Sequence, residues 1–282
     1  MTESLDIVRS VAELRARVKY WRDMGLKVGF VPTMGALHQG HLALVGRGLE
    51  LADRVVASVF VNPTQFGPNE DLSRYPRQEA RDAELLEGAG CALLFAPTVA
   101  EMYPEGFVTT VTVAGVSEGL CGEVRPGHFA GVATVVAKLL LQCLPDVALF
   151  GEKDYQQLAV IRRLARDLDI PCAIEGVPTV READGLALSS RNAYLSAAER
   201  ATAPIVHRTL LAVAEGMRAG GKASELCAKA ASELLAAGFA SVDYVEVRDA
   251  DSLAPVERLD RPARALLAAR LGGTRLIDNV AV

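Results

Sequence analysis

The sequence predicts an α/β protein, a doubly wound parallel sheet over residues 1–177 followed by a smaller α+β domain over 178–282. Two observations predict it. Short apolar runs such as Val28–Val31, Arg54–Val61 and Cys91–Phe95 alternate with stretches whose apolar residues recur at helical spacing. That alternation is the pattern of a parallel sheet with right-handed crossovers. Beyond about Thr179 it stops, and two alanine-rich helical stretches precede three strand-like runs.

Each element has its own reason. Ser10 and Glu13 have capping-box spacing, and Leu14, Val18 and Trp21 recur as a helix face until Gly25 ends it. After the strand Val28–Val31, a helix opening near Gly40 and running to about Ala52 is expected to turn Leu42, Leu44, Val45 and Leu49 inward. The strand Arg54–Val61 leads through a polar loop to a helix over about Arg77–Glu87 and the strand Cys91–Phe95. Phe107–Val113 alternates with period two, as a more exposed strand does. Then come a helix over Phe129–Cys143, the strand Val147–Phe150, a helix over Tyr155–Leu168 and the strand Cys172–Val177. In the second domain, Ser196 with Glu199 caps a helix over Ala197–Ala219, and another follows over Lys222–Ala237. Tyr244–Val247, Arg264–Arg270 and Arg275–Asp278 read as an antiparallel group.

Bulk chemistry narrows the function. Half of the 282 residues are apolar and 23% are charged, which supports a packed core. The net charge of −5 argues against a general grip on nucleic acid, which needs a basic face. Five widely spaced cysteines without a CxxC pair suit neither a disulfide framework nor a zinc cluster, and fit a reducing compartment. The N-terminus lacks the apolar core of a signal peptide, and no apolar run is long enough to span a membrane. A cytoplasmic protein is expected.

The chemistry concentrates in polar segments placed where strands should end, and ligands of open α/β sheets bind beyond the carboxyl ends of strands. In VPTMGALHQGH, His38 and His41 open a helix behind Gly35 and around Gly40. Helix N-terminal N–H groups and neutral imidazoles favour a phosphate. An ordinary turn is the plain alternative, and no third ligand supports a metal. In VNPTQFGPNEDL, Asn62 and Gln65 offer amides, although turn chemistry accounts for Asn62 as well. In FGEKDYQQL, Lys153 stands at a helix start, a position that a bound anion would justify, with Asp154 beside it and Gln157 one turn on. In DGLALSSRN, Ser189, Ser190 and Arg191 form a phosphate-gripping set or a cap cluster. CGEVRPGHFAG adds Arg125 and His128, as a pocket wall or a subunit contact.

Together, PTMGALHQGH, FVNPTQFGPNEDLSRYPR, RPGHFAGVATVV, FGEKDYQQL and LALSSRN resemble the pantothenate synthetase (pantoate–β-alanine ligase) family of the HIGH-motif nucleotidyltransferase superfamily, in order and over nearly the whole chain. The resemblance implies a Rossmann-like ATP- and pantoate-binding domain, a C-terminal lid domain, Mg²⁺ and a homodimer. It implies that pantoate and ATP give pantoyl adenylate and pyrophosphate, and that β-alanine then gives pantothenate and AMP. By position, His38, His41 and Lys153 serve the phosphates as the catalytic set, and Gly151 and Asp154 the ribose. Val180 and Leu188 belong to the nucleotide site, Leu188 standing where many relatives have methionine. Ser189, Ser190 and Arg191 stand in for the KMSKS loop of related synthetases. Gln65 and Gln157 bind pantoate, Met34 lies against both substrates, and Asn62 and His128 face pantoate or β-alanine. The protein ligand of Mg²⁺ stays open between Asp82, Glu84 and none.

Two rivals remain. Another adenylyl-transferring enzyme of the superfamily would need a phosphate pocket or an RNA-binding appendage in place of paired glutamines. A catalytically silent nucleotide-binding regulator would show decay in the cationic set, which is complete here.

Overall fold

The computed structural model describes residues 5–68, 70 and 72–282, so Asn69 and Asp71 of the second polar segment and residues 1–4 lie outside the described residues. By backbone contacts the chain divides into two compact units. The first takes the chain up to Val113, with Arg125–Glu152 and Val160–Pro178. The second takes Ala114–Val124, Lys153–Ala159 and Thr179–Val282.

The first unit is built on a six-stranded sheet. Its strands are β1 (Asp6–Val8), β2 (Val28–Thr33), β3 (Arg54–Val59), β4 (Leu93–Phe95), β5 (Val147–Gly151) and β6 (Ala173–Val177), in the order β1-β4-β3-β2-β5-β6. Every pairing is parallel, as the alternation of runs requires. The strand β1 was not foreseen: three residues at a sheet edge carry almost no periodic signal. Chain direction across the sheet reverses at β2, which pairs with both β3 and β5. Register matters here. Thr33 pairs with Val59, so the loops that leave β2 and β3 start level with each other.

Helix α1 (Val11–Asp23) begins with the expected reciprocal cap between Ser10 and Glu13 and stops ahead of Gly25, at φ +78°. Helix α2 (Gln39–Leu51) buries Leu44, Val45 and Gly48, while Leu49 is 40% exposed, contrary to expectation. Gly48 explains the shift. A Cβ there would lie 3.0 Å from Val55 and 3.4 Å from Leu149, so the bare backbone lies on the sheet and turns Leu49 outward. Val31, Leu44, Val45, Val55, Ala57 and Leu149 are among the core residues beneath it. Helices α3 (Glu79–Gly88) and α4 (Val99–Met102) follow β3 and β4. The expected strand at Phe107–Val113 is irregular chain outside any described strand, with Val108 90% exposed.

Helix α6 (His128–Cys143), which follows α5 (Leu120–Val124) in the chain, is buried along most of its length. Its Gly131 meets the 3-10 turn Pro63–Gln65, where a Cβ would lie 2.4 Å from the Thr64 carbonyl oxygen and 2.8 Å from Gln65 Cα. Helix α7 (Tyr155–Asp167) leads from β5 to β6.

In the second unit, helices α8 (Ala197–Thr202), α9 (Ile205–Arg218) and α10 (Ala223–Ala236) precede the antiparallel strands β7 (Ser241–Asp249), β8 (Ala263–Leu271) and β9 (Thr274–Ala281). The expected helix Ala197–Ala219 is two helices, because Pro204 lacks the N–H that would continue the first. The Ser196–Glu199 cap forms as expected. Leu210, Val213, Leu234, Val245, Leu267 and Leu276 share its core. No helix among the described residues is long and apolar enough to cross a membrane.

One buried carboxylate fixes the loop after β2. Gly35 and Ala36 are both left-handed, at φ +81° and +53°. This bend directs the N–H groups of Ala36 and Leu37 at Asp82, whose Oδ2 and Oδ1 accept them at 2.9 and 2.8 Å. Asp82 is 1% exposed. Burial pushes its carboxyl above the usual aspartate range, against the two backbone hydrogen bonds. Asp82→Asn turns one of those acceptors into a donor facing an N–H, so it is expected to cost about 1–3 kcal/mol in urea unfolding. Gly131→Ala forces the turn carrying Gln65 away from α6 and is expected to cost about 1–3 kcal/mol by the same measurement.

Candidate active site

His38 is the N-cap of α2 and uses its ring for the task. The Gly40 N–H donates to His38 Nδ1 at 3.1 Å, and the His38 N–H donates to His41 Nδ1 at 3.3 Å. A backbone N–H can only donate, so both Nδ1 atoms are acceptors and each neutral ring carries its proton on Nε2. The rings lie against each other, with centroids 4.2 Å apart. Histidine as a cap was not foreseen; the HxGH spacing held that signal, since His41 falls at the third helical position.

Behind this loop, Thr33 Oγ1 donates to the Ser58 carbonyl at 2.7 Å and accepts from the Gly35 N–H at 3.1 Å. At the end of β3 the buried Asn62 organises a second group. The Thr64 N–H donates to Asn62 Oδ1 at 3.3 Å, and Asn62 Nδ2 donates to the Gly131 carbonyl at 3.2 Å. These two backbone groups settle which end of the Asn62 amide is which. Asn62 Nδ2 also reaches Gln65 at 3.1 Å, so the atom it meets is the acceptor, Oε1. The Gln65 amino group therefore points the other way, 2.9 Å from Met34 Sδ. Tyr103, which no sequence motif singles out, donates to Asn62 Oδ1 at 2.8 Å.

His128 and Arg125 support the same residue from outside. Arg125 grips Glu70 with Nε and Nη2, both at 2.6 Å, and its Nη1 lies 2.9 Å from His128 Nε2. A guanidinium only donates, so His128 carries its proton on Nδ1 and gives it to the Gln65 carbonyl at 2.8 Å. Burial alone would raise the Glu70 carboxyl, but the hydrogen bonds and charge of Arg125 hold it below the usual range. The structure thus brings His38 with His41, and Met34, Asn62, Gln65 and His128 into one network. Asn62 and His128 both bond to Gln65.

In the second unit, Lys153 lies in the 3-10 turn Glu152–Asp154, its ammonium 3.7 Å from Asp154 Oδ2 and its side chain 20% exposed. Gln157 makes no hydrogen bond to any described residue through its side chain. Its neighbour Gln156 is buried and structural. It accepts from the Cys121 N–H at 2.9 Å and donates to the carbonyls of Val116, Glu118 and Gly119, each at 3.2 Å. A hairpin joins Val180 and Leu188, whose N–H donates to the Val180 carbonyl at 3.0 Å, with Gly185 at its tip at φ +92°. Ser189 caps the 3-10 segment Ser190–Tyr194 by accepting from the Arg191 N–H at 3.3 Å, so the cap reading of this cluster holds for Ser189. Gly151 closes β5 in the first unit.

No group of three or more metal-ligating side chains occurs among the described residues. Asp82 has both carboxylate oxygens on backbone N–H groups, and Glu84 is exposed. These two side chains do not form a protein-built Mg²⁺ site.

Comparison with known proteins agrees over the full length. The family profile described as Pantoate-beta-alanine ligase matches residues 6–281. The pantothenate synthetase of Paramagnetospirillum magneticum is 74% identical over 100% of this chain and 99% of its own. That of Rhodospirillum rubrum is 62% identical over 99% of each. Among solved structures, pantothenate synthetase from Thermus thermophilus superposes with a TM-score of 0.90 at 53% identity, covering 98% of this chain and 99% of that one. Pantoate-beta-alanine ligase from Francisella tularensis, crystallised with Beta-gamma ATP and β-alanine, gives 0.82 at 33% identity over 98% and 97%. With a family match along almost the whole chain and relatives this close, the chain belongs to the pantoate–β-alanine ligase, or pantothenate synthetase, family.

Proposed function

We propose that the chain condenses pantoate with β-alanine in two steps at the expense of ATP. The pantoate carboxylate attacks the α-phosphorus, and the bond to pyrophosphate breaks. The amine of β-alanine then attacks the acyl carbon of pantoyl adenylate, AMP leaves, and the ammonium proton passes to solvent. The Francisella relative, crystallised with Beta-gamma ATP and β-alanine, supports this choice of substrates.

The observation that carries the reading is the pair of Nε2–H donors of His38 and His41 at the start of α2, beside the strand where the sheet reverses. Strand reversal points and helix N-termini both favour phosphates. The phosphoryl step needs positioning and charge more than covalent help. His38 and His41 hold the phosphates, and Lys153, Ser189, Ser190 and Arg191 supply donors and charge where negative charge builds. Gly151 and Asp154 serve the ribose, and Val180 and Leu188 pack the base. Gln65 and Gln157 hold pantoate beside Met34, while Asn62 and His128 keep Gln65 in place. Mg²⁺, as the counter-ion of ATP, would supply further positive charge to the phosphates. The enzyme works in the cytoplasm as a homodimer.

The glutamines have a physical reason. An arginine clamp would stabilise the ground-state carboxylate and blunt its attack, whereas an amide N–H holds it with little loss of nucleophilicity. Gln65→Arg is therefore expected to lower the KM for pantoate and slow adenylate formation; faster turnover in that variant would contradict the idea. The main test is pantoate-dependent exchange of label between pyrophosphate and ATP without β-alanine. His41→Ala and Lys153→Ala are each expected to fold and to lose about 10²–10³-fold in exchange rate, by analogy with oxyanion-hole donors. Full exchange in either variant removes that residue from the mechanism.

A further inference from the structure

We propose that Asn279, on the last strand, is a positioning residue for Lys153. The inference rests on the role given to Lys153 above and extends it to a residue outside every motif. Lys153 lies in a three-residue 3-10 turn, too short to hold its own direction through internal hydrogen bonds. Its carbonyl accepts from Asn279 Nδ2 at 3.0 Å. Asn279 is 3% exposed, and its amide cannot flip: Arg264 Nη1 donates to Oδ1 at 2.8 Å, and a guanidinium only donates. Nδ2 is therefore the end that faces the lysine turn.

The asparagine is itself pinned on every side. Its N–H donates to Asp278 Oδ1 at 2.7 Å, and its carbonyl accepts from Arg181 Nη2 at 3.3 Å. Arg181 in turn forms a two-pronged ion pair with the buried Asp278, at 2.6 and 2.9 Å. Arg264 lies over the Tyr155 ring, 4.1 Å from its centroid, and Tyr155 donates to the Ala250 carbonyl at 2.8 Å. All these groups belong to the second unit. A frame of this stiffness, ending on one backbone carbonyl, is what a flexible lysine needs to keep its ammonium on a reacting phosphate, since a misplacement of about 1 Å is enough to cost about 10²-fold.

The test is a double-mutant cycle read by pantoate-dependent pyrophosphate–ATP exchange. Asn279→Ala is expected to lower the maximal exchange rate about 10- to 100-fold with the KM for pantoate within about twofold. Asn279→Asp keeps the shape and the partner of Arg264 but sets an oxygen against the Lys153 carbonyl. It is expected to lose exchange likewise while melting no earlier than Asn279→Ala. In the Lys153→Ala background, Asn279→Ala is expected to add almost nothing, because residues that act through one another do not add. An Asn279→Ala loss of the same size in both backgrounds overturns the proposal and leaves the role of Lys153 standing. A fully active Lys153→Ala enzyme overturns that role, and the proposal with it. Should Asn279→Ala not fold, the Asn279→Asp cycle decides in the same way, and Asn279→Asp at full exchange rate overturns the proposal.

Discussion

The acceptance of two backbone N–H groups by the buried Asp82 is the constraint on which the loop after β2, and the proposed phosphate site at the start of α2, depend. Strand β2 must stop, turn and present a helix N-terminus within a few residues, and it does so through two successive left-handed residues. Gly35 takes that conformation freely; Ala36 does not. A loop with a strained residue and two inward N–H groups is stable only if something buried accepts from it. Asp82, in the first turn of α3, provides the acceptor. With the loop held, His38 falls at the cap of α2, and the cap hydrogen bonds then dictate the tautomers of both histidines.

The network around Gln65, the proposed pantoate side, uses the same device. Asn62 is read by two groups that have no choice of role, the Thr64 N–H and the Gly131 carbonyl, and passes that orientation to Gln65. The absence of a side chain at Gly131 permits this, because a Cβ there would collide with the turn that carries both amides. Here too the direction of a functional side chain is set by the backbone around it. The nearby cation, Arg125, is neutralised by Glu70 through two short hydrogen bonds, so Gln65 works beside no bare charge.

Periodicity and caps made most of the fold legible in the sequence. The α1 cap, the alternation of β2, α2 and β3, the turn at Asp184-Gly185 and the strand runs near the C-terminus are all written in patterns that span only a few residues of chain. What stayed hidden depends on contacts between distant residues. Leu49 reads as a core residue until Gly48 is seen lying on Val55 and Leu149. Phe107–Val113 has a strand's pattern but joins no described sheet, and Pro204 splits a helix whose apolar rhythm runs through it. For the site, the motifs marked His38, His41, Gln65 and Lys153 because several polar residues stand together. They could not mark Tyr103 or Asn279, which act from other elements and look like ordinary surface or strand residues in the chain, and Asp82 was marked only as a candidate Mg²⁺ ligand, not as the acceptor of the loop N–H groups. Asn62 and His128 were visible, but their attachment to Gln65 was not.

Lys153 carries the most instructive divergence between chain position and packing. It stands two residues beyond Gly151, the end of β5, and a reading by strands assigns it to the sheet domain. Its contacts place it with the second unit, as they do Gln156 and Gln157. In the proposed reaction neutral and charged donors have different work. Neutral donors such as the Gln65 amide bind an anion without greatly stabilising it, which suits the attacking carboxylate. Fixed positive charge, as on Lys153 and Arg191, is most effective where negative charge grows, on the departing pyrophosphate. An enzyme that must bind a carboxylate and still let it attack gains by giving the carboxylate amides and keeping its cations for the phosphates, with each kind of donor held rigid by buried hydrogen bonds.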